Sequence, residues 1–113
     1  AALENGVSGI DEMSASFPQV AVLRYVFNPN AKSGSRISNV LVAEGEGFVP
    51  LIRAKTYGVV SSTRVRQGGL GYAMFETAKY AYDHGPFIYD IVSKYLAMNS
   101  PYKPYTDGRI STE

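Results

Sequence analysis

The stretch "TRVRQGGLGYAMFETAKYAYDHGPFIYDIVSKYL", residues 63–96, decides the fold. It opens with two arginines and a Gly-rich turn, then becomes helical in composition and dense in tyrosine. Ala73, Met74, Glu76, Ala78, Lys79 and Ala81 are good helix formers and predict a helix over residues 70–84. Gly85 stops it, and Pro86 stands where a second helix takes its first residue. In that second helix, over residues 86–98, Ile88, Ile91, Val92, Tyr95 and Leu96 recur at helical spacing. They predict a buried seam, with Phe75 and Ala78 packing nearby. Asn99-Ser100-Pro101 ends it.

The glycines pose a choice between a phosphate cradle and a simple turn. Backbone N–H groups at a helix start suit an anion. A nucleotide P-loop, however, ends in Lys-Ser/Thr, whereas Gly71 is followed by Tyr72-Ala73, and no G-x-G-x-x-G occurs. The glycines therefore read as a hinge.

Upstream, the period changes from helical to alternating. "QVAVLRYVF" (19–27) reads as a strand, with Val20, Val22, Arg24 and Val26 on one face and Ala21, Leu23, Tyr25 and Phe27 on the other. Residues 28–38 form a loop by their Asn-Pro and Ser-Gly punctuation. "NVLVAE" (39–44) is a second strand, followed by the turn "GEG". Residues 48–60 are extended, and Pro50 confines them to an edge or breaks them, because it cannot donate a ladder hydrogen bond. Residues 61–69 are a basic loop. The fold class is thus α+β, a small antiparallel sheet followed by two helices, with extended N- and C-terminal arms. The arms are residues 1–18 and 100–113, and residues 19–99 form one small domain.

A chain of 113 residues with a formal charge of +1 is one domain's worth of sequence and no obvious nucleic-acid binder. Cysteine is absent, which removes disulfides, thiolate metal sites, Cys nucleophiles and any thioether-linked prosthetic group. No apolar run approaches the roughly twenty residues that span a bilayer. The start lacks an initiator Met, a basic n-region and an apolar h-region, and reads as a mature N-terminus or an edge rather than a signal peptide. His84 is the only histidine; Asp83 is adjacent and Asp90 lies on the next helix, but the chain offers no second His or Cys to complete a catalytic or metal set. Glu44, Glu46, Asp83 and Asp90 show no general acid–base pairing. The reading is of a protein without catalytic residues or metal ligands.

Arginine and tyrosine carry many protein interfaces, since they combine large contact area with a polar handle. Arg24, Arg53, Tyr57, Arg64, Arg66 and Tyr72 are accordingly the candidate contacts with an acidic protein partner. Nucleic acid is disfavoured by the near balance of acidic and basic residues.

"VAVLRYVF" resembles the Arg/Tyr/Val-rich first strand of the small phycobilisome linker domains, and "TRVRQGG" resembles the basic-Gln-Gly-Gly stretch near their end. The departure is that two helices, rather than a closing strand, follow the Gly-Gly. A red-algal rod linker or a γ-like linker is the resembling class. It implies a colourless assembly protein inside or between phycobiliprotein rings, supporting light harvesting and energy transfer. Phycobiliprotein α and β subunits would be the partners, and bilins would be touched but held by them. The implied location is peripheral, on the stromal side of the chloroplast thylakoid. An accessory subunit of another large mitochondrial or photosynthetic complex is the alternative.

Overall fold

The structure is a computed structural model that describes residues 1–113. The chain opens with helix α1 (Ala2–Ser8), followed by a short 3-10 turn at Ile10–Glu12. Strands β1 (Leu23–Phe27), β2 (Ile37–Glu44) and β3 (Gly47–Pro50) come next. One helical turn, α2 (Thr63–Arg66), then precedes helix α3 (Ile88–Met98) and strand β4 (Ile110–Thr112). The sheet order is β3-β2-β1-β4, antiparallel except for the parallel β1–β4 pair. The α+β class holds, and Pro50 closes an edge strand, as its missing N–H requires.

Alternation along β1 sets the core. Tyr25 and Phe27 are buried and Leu23 is partly so, while Arg24 is exposed. Val7 of α1 is fully buried against Tyr25 and Phe27, with Leu3, Ile10, Phe17, Val20, Ile37, Val40 and Ile110 packed around them. Seven residues cannot sustain a helix on propensity alone. Tertiary contacts hold α1. The Glu4 carboxylate accepts the backbone N–H groups of Arg36 (3.1 Å) and Ile37 (2.8 Å) at the start of β2. In return, the Arg36 guanidinium donates to the carbonyls of Val7 (2.8 Å) and Ser8 (3.1 Å), satisfying the end of α1.

Four expectations change. Residues 1–18 are not an extended arm, since α1 supplies the fully buried Val7. The C-terminal tail is not free either, because β4 pairs with β1 through Tyr25–Ile110, Val26–Ser111 and Phe27–Thr112. The helix expected over 70–84 is replaced by two 3-10 turns, Gly69–Gly71 and Ala73–Phe75, and irregular chain. Positive φ at Gly68, Leu70, Gly71 and Tyr80 is incompatible with a continuous right-handed helix, so local geometry overrides the propensity of the sequence. Finally α3 forms, but its seam is open: Ile88, Ile91, Val92, Tyr95 and Leu96 are 42–64% exposed.

Only six of the 113 residues are buried, and the radius of gyration is 15.2 Å. A closed domain of this length would have about 13 Å. The compact part lies between α1 and the sheet. Residues 77–108 lie almost wholly exposed.

Candidate functional site

The Gly-rich turn is neither cradle nor hinge. It is a close-packed junction with α1. The Asn5 amide donates to the Leu70 carbonyl at 3.0 Å, and the Asn5 Oδ1 occupies the space that a Cβ on Gly71 would need. The Glu76 carboxylate fills the equivalent space at Gly68, and the Arg64 backbone and side chain fill it at Gly69. With acceptor oxygens over Gly68 and Gly71, an approaching phosphate would meet like partial charge.

From this junction Tyr72 turns inward, 6% exposed, with its ring stacked on Phe75 at 5.8 Å. Its hydroxyl donates to the Ser16 carbonyl at 2.7 Å. The Tyr25 hydroxyl donates to the Pro18 carbonyl at 3.0 Å. The backbone is thus pinned on both sides of Phe17 by two tyrosines from different elements. Gly6 makes this possible, because a Cβ there would lie 2.6 Å from both the Tyr72 hydroxyl and Pro18. Burial, with Tyr72 nearby, pushes the Tyr25 hydroxyl up to about 12, and burial also raises Tyr72. Both therefore remain neutral donors at physiological pH.

Phe17 is half-buried, edge-on to Phe27 at 5.8 Å, and lines a cavity of about 430 Å³. Tyr95, Tyr102, Tyr105, Asp107 and Arg109 line the same cavity. Arg109 donates to Asp107 (2.7 Å), the Val20 carbonyl (3.1 Å) and the Tyr105 hydroxyl (3.2 Å), so it ties the cavity wall to the end of the Phe17 loop. The Arg109 hydrogen bond holds the Asp107 carboxyl below its usual range. No three His, Cys, Asp or Glu side chains are grouped so as to hold a metal ion.

The six contact candidates fall in several places. Arg66 and Tyr72 share the junction: Arg66 donates to the Phe75 carbonyl at 2.8 Å, and its Nε lies 3.4 Å from Asp83. Arg64 is exposed on α2, against Gly69. Arg24 covers the Phe48 ring at 4.1 Å on the sheet. The Tyr57 hydroxyl accepts the Ile52 N–H at 3.0 Å, and Lys55 lies over its ring. Arg53 lines a second, open cavity beside the start of α1. Phe17 escaped the sequence reading because it sits in a Ser-rich stretch. The available signal was a bulky aromatic fixed before a proline, in "SASFPQV".

Residues 1–77 match the family model for the 5'-nucleotidase C-terminal domain. The chain is 34% identical over 111 residues to the trifunctional nucleotide phosphoesterase protein YfkN of Bacillus subtilis (strain 168), covering 96% of this chain and 8% of that protein. It is 29% identical over 114 residues to a 5'-nucleotidase of Diplobatis ommata, covering 97% and 20%. The crystal structure of the 5'-nucleotidase precursor from Thermus thermophilus superposes with a TM-score of 0.93 at 35% identity, covering 99% of this chain and 22% of that one. The chain spans a quarter or less of each of these proteins.

These matches overturn the phycobilisome resemblance and what followed from it. A light-harvesting linker role, phycobiliprotein partners, contact with bilins and a thylakoid location have no support among nucleotidases from bacteria and animals. The accessory-subunit alternative falls with them. The two quoted patches misled because Arg/Tyr-rich strands and basic Gly-Gly turns arise in many folds. This chain belongs to the 5'-nucleotidase C-terminal domain family.

Proposed function

We propose that the chain is the nucleotide-contacting part of a 5'-nucleotidase, with Phe17 stacking on the nucleobase and hydrolysis carried by polypeptide outside these 113 residues. The observation that carries the reading is the double pinning of the Phe17 loop by Tyr72 and Tyr25. A ring used for stacking gains from a backbone fixed beforehand, because less freedom is lost on binding. Every base offers a π-face, so one fixed aromatic suits a range of nucleotides. Tyr72 acts as a positioning residue. Arg66 braces the turn at Phe75 and Glu76. Arg24, Arg53, Tyr57 and Arg64 have no part in this reading.

The test is steady-state hydrolysis by the longer protein. Phe17→Ala should lower kcat/KM for a nucleoside 5'-monophosphate about 5- to 150-fold, the equivalent of one lost base–aromatic stack. Turnover of ribose 5-phosphate, which has the phosphoester and no base, should be unchanged. Equal losses on both substrates would overturn the stacking role. The 113 residues alone should release no phosphate.

A further inference from the structure

From Thr56 to Ser61 no backbone N–H or C=O is hydrogen-bonded within the chain. The segment "TYGVVS" nevertheless has the composition of a strand, with β-branched and aromatic residues. Val59 and Val60 are 63% and 101% exposed. An apolar strand left with free backbone groups is a pairing template. Beyond it in sequence, α3 turns its apolar seam to the outside, and none of its residues is buried.

This open half follows the same course as the corresponding part of the far longer Thermus thermophilus protein, with 99% of the chain aligned. Its own side chains provide little to hold it there. We propose that Thr56–Ser61 is a strand completed by main-chain pairing with polypeptide of the same molecule preceding Ala1, and that this polypeptide also covers the α3 seam. The matched family is described as the C-terminal domain and the chain covers 22% of the Thermus thermophilus protein, which favours an occupant from the N-terminal side. The pairing satisfies the free backbone groups, and the seam gains the apolar cover that its periodicity demands. The inference rests on family membership and not on the nucleotide reading, so each can fail alone.

Hydrogen–deuterium exchange of the longer protein, with a photo-reactive p-benzoylphenylalanine in place of Val60, tests it. Amides of residues 56–61 in the unsubstituted protein should exchange about a hundredfold or more slower than in an unstructured peptide, at any protein concentration. The cross-link should map within the same molecule, before Ala1. Unprotected exchange would overturn the proposal. So would protection that grows with protein concentration, which marks a second copy, or a cross-link that is missing, intermolecular or beyond Glu113.

Discussion

The sheet with α1 and the run from Thr56 through α3 carry comparable apolar sequence, yet they meet opposite fates within the chain. Val7, Tyr25 and Phe27 close over one another across two elements, α1 and β1. Val59, Val60, Ile88 and Ile91 face outward. The difference lies in partners rather than in hydrophobicity. Each core residue of the first region finds its complement within these 113 residues, whereas in the second only Tyr72 does, at the Gly-rich junction, and Val59, Val60 and the α3 seam are given none. A periodic apolar face thus reports that something is to be buried, without reporting by what.

The largest expected effect bears on the closed region. Tyr25→Ala should cost about 3–5 kcal/mol in denaturant unfolding of this domain within the longer protein, in line with removing a buried aromatic. A cost below about 1 kcal/mol would mean that the core is not where stability resides. The same residue gives a pH signature. Its hydroxyl titrates near 10 when unfolded and near 12 when folded. Its stabilisation is therefore complete below pH 10 and is lost as pH rises from 10 towards 12. Stability measured against pH should fall across that window, and less steeply in Tyr25→Phe, where only the raised Tyr72 remains.

Ile91→Ala sharpens the comparison from the open side. If α3 is covered in the longer protein, the cost should be about 2–5 kcal/mol. A change within about 0.5 kcal/mol, as for ordinary surface positions, would mean that the helix stays as open as it is here. Smaller still is Glu4→Gln, which leaves an acceptor in place of a carboxylate that receives two backbone N–H groups. About 1–2 kcal/mol should be lost, read from the same unfolding curves, because hydrogen bonds to charged groups exceed neutral ones.

What the sequence disclosed follows the same division. The alternation in Leu23–Phe27 and the 3.6-residue period in Ile88–Leu96 are local signals, and both elements form. Helix α1 was hidden because its stability comes from Arg36 and β2, about thirty residues away, although Leu3, Val7 and Ile10 have helical spacing. Strand β4 has three residues and a parallel partner some eighty positions upstream, which no local pattern reveals. The stretch 70–84 misled in the other direction, since favourable propensities yielded to left-handed backbone at Leu70 and Tyr80. Of the candidate site, Tyr72 stands out in sequence only as a contact for an acidic partner, whereas the structure buries it against Phe75 and Ser16. Phe17 does not stand out, because its significance lies in two hydroxyl contacts made from Tyr25 and Tyr72.

The most direct measurement is the equilibrium affinity of the longer protein for a purine nucleoside, by calorimetry, in wild type and Phe17→Ala. A nucleoside carries the base without the phosphoester, so binding reports stacking separately from hydrolysis. The stacking role predicts an affinity about 5- to 150-fold weaker in the variant, matching the roughly 1–3 kcal/mol of one base–aromatic stack. An unchanged Kd in a variant that still hydrolyses ribose 5-phosphate would contradict it.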